Sequence, residues 1–186
     1  MTSTTAHNLA QAAEVLIKLH GYHGFSYADV AERVGIRKAS IHHHFKAKQD
    51  LATHAVAEYR QRLGDALDEL KGRTADPIER LHGFAAIFQD ACRCEGAMCL
   101  CAALTADWAA LPEPVQAEVA GYWNDTRAWL ADALFAPDAE PTDRRRAALA
   151  NAVIALLEGS LLASRVDNDE QPLTDAIEAA EALMRR

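Results

Sequence analysis

Residues 26–51, with the sequence SYADVAERVGIRKASIHHHFKAKQDL, decide how the amino-terminal part of this chain folds. Ser26 has Asp29 three residues further on, which is the spacing of a capping box at the start of a helix. Gly35 stands where that helix would end in a left-handed residue, and a second helix is predicted over about residues 37–44. Two short helices joined by a glycine turn predict a helix-turn-helix.

The stretch resembles the DNA-binding motif of TetR/AcrR-type transcriptional regulators. That motif runs Thr/Ser, two residues, Asp-Ile/Val-Ala, then Ala/Val-Gly-Val/Ile, Lys-Gly/Ala-Ser/Thr-Ile/Leu-Tyr, one residue, His/Tyr-Phe, and ends with Lys and Leu. The matching positions are Ser26, Asp29, Val30, Ala31, Val34, Gly35, Ile36, Lys38, Ala39, Ser40, Ile41, His44, Phe45, Lys48 and Leu51. The resemblance implies a regulator that binds double-stranded DNA at a palindromic operator.

The residues expected to contact DNA are Ser26, Arg37, Lys38, Ser40, His42, His43 and Lys48. Ser26, His42 and Lys48 are expected at phosphates, which position the protein without specifying a sequence. The other four are expected at base edges in the major groove, although His43 could equally be a solvated surface residue. His42 stands where the family usually has a tyrosine that bonds a phosphate, so the contact could depend on pH.

A metal site at the three consecutive histidines is not expected. Successive residues of a helix are rotated by about 100°, so His42, His43 and His44 point in three directions and cannot converge on one ion. No other convergent acid-base or nucleophilic set is visible in the sequence. We therefore predict that the chain is not an enzyme and needs no cofactor, and that the histidine segment binds no metal.

Charge is divided unevenly along the 186 residues, of which 50% are hydrophobic, enough for a substantial core. Residues 1–50 hold six Lys/Arg against four acidic residues, a balance of +2, and the remaining 136 hold thirteen against twenty-three, a balance of −10. A mildly basic end on an acidic body suits contact with a polyanion at that end. No apolar run approaches the roughly 18 residues of a membrane span and no leader pattern is present, so we expect a soluble, cytoplasmic protein that contacts no membrane.

Apolar spacing of three and four, punctuated by proline, predicts an all-α chain of about nine helices. The first helix places these residues on one face: Leu9, Ala12, Ala13, Leu16, Ile17 and His20. We predict a three-helix DNA-binding head over residues 1–50. The resemblance implies that residues 51–186 form a larger helical body for effector binding and dimerisation.

Two features of the body bear on those roles. Residues 144–164 mix small and large apolar side chains, which favours a tightly packed helix at a homodimer interface, although an ordinary buried helix of a monomer would look the same. The residues predicted at the interface are Leu156, Gly159, Leu162 and Ile177. An apolar effector pocket is predicted from Phe84, Phe88, Met98, Cys101, Trp108 and Trp123, which could alternatively be plain core.

The segment CRCEGAMCLCAAL, residues 92–104, carries all four cysteines of the chain. Three interpretations stay open: buried apolar residues, thiol sensing at Cys99 and Cys101, or a metal-responsive or redox-responsive site built from Cys92, Cys94, Cys99 and Cys101. With the resemblance, the sequence predicts a homodimeric repressor that leaves its operator when a small organic effector or a thiol-reactive compound occupies the body.

Overall fold

The computed structural model describes residues 2–93 and 98–185, and the side chains of residues 4–90 and 98–185. The described part contains nine α-helices and a short 3-10 helix but no strand, which confirms the all-α prediction. The helices are α1 (Thr2–His20), α2 (Tyr27–Val34), α3 (Lys38–His44), α4 (Lys48–Arg73), α5 (Pro77–Arg93), α6 (Leu100–Thr105), α7 (Glu113–Ala133), α8 (Asp143–Asp167) and α9 (Gln171–Met184), and the 3-10 helix spans Trp108–Ala110.

Side-chain hydrogen bonds fix the starts of α5 and α8. Asp76 precedes α5, and its Oδ1 atom accepts a hydrogen bond of 2.8 Å from the backbone N–H of Ile78. The Thr142 side chain likewise accepts from the N–H of Arg145 at the start of α8. Such bonds satisfy backbone donors that have no partner within the helix.

Contacts divide the chain into two compact units. The first unit comprises residues 1–62 and 94–122, and the second comprises residues 63–93 and 123–186. In the first unit α1 packs against α2 and α6. In the second unit α8 packs along α9, and α5 contacts α8 and α9. Residues 94–122 therefore group with the amino-terminal helices, a grouping that the sequence did not suggest.

The apolar face predicted for α1 is buried in the first unit, with Leu9, Ala13 and Ile17 fully enclosed. His20 was predicted on the same face, and it is exposed there. His20 is the last residue of the helix, and Gly21 turns the chain away with φ 72°, so no further turn of helix covers the imidazole ring.

The second unit has an aromatic and aliphatic core. Phe84 stacks on Phe88 and on Trp129, with ring centroids 5.8 Å apart in both pairs. Leu81, Leu130 and Leu157 are fully buried in the same unit.

Helix α8 is apolar and long enough to cross a membrane by length and composition alone, with a mean hydropathy of 1.6 over an 18-residue window. The sequence expectation that no run approaches this length was therefore too strict. One such helix is weak evidence for a membrane span, because a core helix of a soluble protein passes the same test.

Candidate nucleic-acid interface

The start of α2 is fixed by the predicted capping box. Ser26 Oγ accepts a hydrogen bond of 3.2 Å from the N–H of Ala28, and Asp29 Oδ2 accepts one of 2.6 Å from the N–H of Ser26. Hydrogen bonding with Ser26, through its side chain and then its backbone, lowers the pKa of Asp29. The reciprocal bonds set the direction in which α2 leaves the preceding turn.

The turn between α2 and α3 depends on the left-handed conformation of Gly35, whose φ is 75°. Its N–H donates to Ala31 O at 2.9 Å, and the N–H of Ile36 donates to the same oxygen at 3.0 Å. A Cβ added at Gly35 would meet no atom within 4 Å. Backbone conformation, and not space, therefore favours glycine here, by about 1 kcal/mol.

Helix α3 is anchored by its apolar side and by a bond beyond its end. Ile41 is fully buried and Phe45, which ends the helix, is 8% exposed. The Tyr27 hydroxyl donates to the Phe45 carbonyl oxygen at 3.1 Å, and the Tyr27 ring meets His42 edge-on with centroids 5.0 Å apart. Burial, and then the charge of Asp50, raises the pKa of Tyr27 to about 12, so the hydroxyl keeps its proton at any physiological pH.

The residues predicted to contact DNA divide by exposure. Exposed ones are Ser26, Arg37, Lys38, His42 and His43, and Ser40 and Lys48 are half-buried. Four of these seven belong to the seven-residue helix α3, and Arg37 is its N-cap. Helix α3 and its N-cap thus expose cationic and imidazole hydrogen-bond donors to solvent, while the buried Ile41 packs α3 into the first unit.

Lys48, at the first position of α4, is more confined than the sequence indicated. Its Nζ atom lies 4.8 Å from the ring centroid of Tyr22 and 4.3 Å from that of Phe25. Burial lowers the pKa of Lys48, and the charge of Asp29 acts in the opposite direction. The ammonium group therefore stabilises the turn between α1 and α2 through its contact with the two aromatic faces.

A buried ion pair on α1 was missed by the sequence analysis. Lys18 Nζ donates to Glu14 Oε1 at 2.7 Å, with the two side chains 4% and 12% exposed. Arg62 of α4 donates to the other oxygen of Glu14, and Lys18 Nζ lies 4.9 Å from the ring centroid of Tyr59. The spacing i, i+4 was a visible signal, but such pairs usually occupy a solvated helix face.

The two described cysteines are buried in the first unit. Cys99 Sγ lies 3.8 Å from the Tyr59 hydroxyl and 3.5 Å from the Tyr122 hydroxyl, and Cys99 and Cys101 are 1% and 0% exposed. Burial, followed by the nearby Cys99, raises the pKa of Tyr122 well above its usual value. Cys94 and the side chain of Cys92 lie outside the described residues, so the predicted four-cysteine cluster falls partly beyond them.

The six residues predicted to bind an effector are distributed over both units. Phe84 and Phe88 stack within the second unit, where Trp123 lies near the Arg127 guanidinium, 6.0 Å from carbon to ring centroid. In the first unit Cys101 is fully buried, Met98 is half-buried and Trp108 is 41% exposed. Trp129, which stacks on Phe84, has a buried indole nitrogen with no hydrogen-bond acceptor among the described residues.

The predicted dimer residues lie on the outer side of α8 and α9. Leu162 is 48% exposed, and Leu156 and Ile177 are half-buried. Gly159 is exposed, and a Cβ built there would meet nothing within 4 Å. Val166 adds a large apolar side chain that is 85% exposed. A single chain therefore leaves apolar area on α8 in contact with water.

Among the side chains of residues 4–90 and 98–185, no group of three or more His, Cys, Asp or Glu could hold a metal ion. A capped helix-turn-helix that presents cationic side chains on its second helix defines a class of protein, the helix-turn-helix DNA-binding regulators. Sequence comparison agrees with that class. The model for bacterial regulatory proteins of the tetR family matches residues 9–55, and that for the LmrA/YxaF-like transcriptional regulator C-terminal domain matches residues 77–179. The chain belongs to the TetR family of transcriptional regulators.

Solved structures extend this similarity over the whole chain. A TetR-family regulator from Agrobacterium tumefaciens is 31% identical, with a TM-score of 0.86 covering 100% of this chain and 98% of the other. A TetR regulator from Legionella pneumophila is 27% identical, with a TM-score of 0.88 covering 94% of each chain. No curated protein sequence matches significantly. Members of the family are soluble DNA-binding regulators, bind small-molecule effectors and are typically dimers.

Proposed function

We propose that two copies of this chain bind a palindromic operator and repress transcription until an effector releases them. The observation that carries the proposal is α3, a short helix with Arg37, Lys38, His42 and His43 exposed and Ile41 fully buried. Phosphate contacts from Ser26, His42 and Lys48 would set the register of the helix. Arg37, Lys38, Ser40 and His43 would meet base edges.

The outer side of α8 and α9 supports the homodimer. Exposed apolar side chains such as Leu162 cost free energy in water, and a two-fold related copy of the same surface would cover them. Gly159 has open space at its Cβ position, which would let a second helix approach closely. We place the DNA-binding head at residues 1–50 and the effector-binding and dimerisation body at residues 51–186.

A small organic effector is favoured over a thiol-reactive one. Cys99 and Cys101 are buried, and a thiol without solvent access reacts slowly. The stacked rings of Phe84 and Phe88, together with Trp129, form an apolar cluster that an apolar or aromatic molecule would match chemically. Release needs only that the effector bind the DNA-free state better, and a tenfold loss of operator affinity corresponds to about 1.4 kcal/mol.

The test is selection of bound duplexes from a random DNA pool at near-physiological salt, without any added effector. We expect an inverted repeat whose half-sites are about one helical turn apart. On the recovered duplex, Lys38→Ala should relax base preference, whereas Lys48→Ala should weaken binding to all sequences alike. Sequence-blind binding, or equal losses for both variants on operator and random DNA, would contradict the proposed division of roles.

A further inference from the structure

Histidines are concentrated in the part of the chain proposed to bind DNA. Seven of the eight lie between residues 7 and 54, and the eighth is His82. All seven belong to the first unit, and His82 belongs to the second. Histidine is the side chain whose charge ordinarily changes between about pH 5 and pH 8. The first unit therefore carries most of the chain's imidazole groups.

Two of these histidines share one carboxylate. His7 Nδ1 lies 2.9 Å from Glu58 Oε2, and His54 Nε2 lies 3.1 Å from Glu58 Oε1. His7 comes from α1, and His54 and Glu58 come from α4, so the three residues tie the two helices together. We call them the histidine clamp. The side chains are between 25% and 44% exposed, so protons exchange freely with solvent.

The clamp is connected to α3 by ring contacts. The His54 ring lies 5.3 Å from the Phe45 ring, centroid to centroid. The Phe45 carbonyl accepts the Tyr27 hydroxyl, and the Tyr27 ring packs edge-on against His42. The His54 ring therefore contacts the residue that ends α3, and His42 itself stands among the proposed phosphate contacts.

Other titratable and charged groups lie around these histidines. Tyr27, which faces His42 from α2, has its pKa raised to about 12. Asp29 at the start of α2 has its pKa lowered by its bonds with Ser26, so it stays a carboxylate. Around His54, Asp50 and Pro114 line the same open groove. The charged residues next to His42 along the chain are Lys38 and Lys46, with His43 and His44 between them.

We propose that the proton is a second ligand of this chain, taken up by His42 and by the histidine clamp, and that its uptake strengthens DNA binding. The inference rests on the proposed DNA-binding function. Each imidazole takes one proton from solvent and becomes a cation. At His42 the new charge meets a phosphate, and at His7 and His54 it pairs with the Glu58 carboxylate. Both effects are present at low pH and are lost as the pH rises and the imidazoles lose their protons.

Fluorescence anisotropy with a mixed-sequence duplex of about 30 base pairs tests the effect on DNA, since phosphate contacts do not require the operator. Affinity is measured across a salt series at about pH 8 and about pH 6, with a chelator present. We expect about tenfold tighter binding at the lower pH, and a slope of log affinity against log salt that is steeper by about two, one for the His42 of each copy in the proposed dimer.

Matched variants assign the effect to particular residues. His42→Gln cannot become a cation, so its slope of log affinity against log salt should be the shallow one at both pH values. His42→Lys is always a cation, so its slope should be the steeper one at both pH values. His82→Gln should behave as the wild type. An identical slope at the two pH values in the wild type, or an undiminished change in His42→Gln, would overturn the proposal.

Thermal unfolding tests the clamp without DNA. The wild type should gain melting temperature between about pH 8 and about pH 6, and Glu58→Gln should lose most of that gain. Equal gains in both proteins would refute the clamp. If the wild type binds no duplex at either pH yet shows the Glu58-dependent gain, the proposed DNA-binding function fails while proton uptake by the clamp stands.

Discussion

The two units of the chain differ in where they place charged and apolar side chains. In the first, the Glu14–Lys18 pair of α1 is buried, and the more exposed Arg62 of α4 also donates to Glu14. In the second, α8 and α9 pack through apolar residues and leave Leu162 and Val166 in solvent. Hydrogen-bonded polar pairs fix the direction and register of the helices that they join. Apolar surfaces tolerate several arrangements, and any contact that removes them from water stabilises them. A unit proposed to present α3 to DNA benefits from polar pairs, and a unit proposed to join two chains benefits from an apolar surface.

The largest expected effect comes from breaking the buried pair. Glu14→Leu leaves the Lys18 ammonium buried without its carboxylate and should cost about 3 kcal/mol of unfolding free energy. The double variant Glu14→Leu/Lys18→Met should recover much of that loss, because neither charge is then stranded. Denaturant unfolding measures both.

The control lies in the second unit, where Lys71 and Asp132 form an ion pair at 2.6 Å with side chains 48% and 58% exposed. Asp132→Ala should cost less than about 1 kcal/mol, since solvent screens that pair. If Glu14→Leu costs no more than this control, the contrast between the two units is wrong.

A charge on the outer side of α8 should have the next largest effect. Leu162→Glu would bury a carboxylate in the proposed interface on both copies, so we expect the dimer to weaken by at least about tenfold. Sedimentation velocity over a concentration series measures the change. Ala128→Glu, at an exposed position on α7, serves as the control and should leave the dimer intact. An unchanged mass distribution for Leu162→Glu would remove α8 from the interface.

Much of the first unit could be predicted from short-range patterns. The Ser26–Asp29 capping box, the left-handed Gly35 and the buried Ile41 depend on residues within one or two turns of each other, and the sequence displays those spacings directly. The buried Glu14–Lys18 pair could not be predicted in the same way. Its burial depends on Tyr59 and Arg62, more than forty residues away, and the pattern of α1 alone does not show which face they cover.

The body was less predictable for the same physical reason. Residues 98–122 pack in the first unit although they follow α5 in the chain, and contacts of that separation leave no periodic signal. The aromatic residues predicted to line one pocket are distributed over two units, because aromatic type and helical spacing indicate burial without indicating which neighbours share it. Seven histidines before residue 55 were visible, but only the structure brings His7 and His54 to Glu58.

The smallest expected effect on stability comes from removing a helix cap, and one cap from each unit can be compared. Ser26→Ala and Thr142→Ala each remove a side-chain acceptor from a helix start and should each cost about 1 kcal/mol of stability. Only Ser26→Ala should also weaken DNA binding, because Ser26 caps α2, and α2 packs against α3. Denaturant unfolding and anisotropy on the selected duplex separate the two outcomes, and equal losses of DNA affinity would show that the caps act through stability alone.

Acid should act on the cap of α2 as well. Because the pKa of Asp29 is lowered in the folded state, its contribution to stability is present above the unfolded value, about 3.9, and is lost as the pH falls. Asp29→Asn should flatten the acid limb of the stability curve, and an unaltered acid limb would show that the capping box adds nothing.

One measurement tests the central claim most directly, namely that the first unit recognises DNA while the second joins two copies. Half a helical turn, about 5 base pairs, is inserted between the half-sites of the selected operator, and the affinity and the number of bound chains are measured. We predict that tight binding of two chains is lost and that affinity falls to that of a single half-site. If two chains bind the lengthened site as tightly as the original, the two DNA-binding heads act independently, and α8 and α9 do not hold them at a fixed spacing as a dimer interface would.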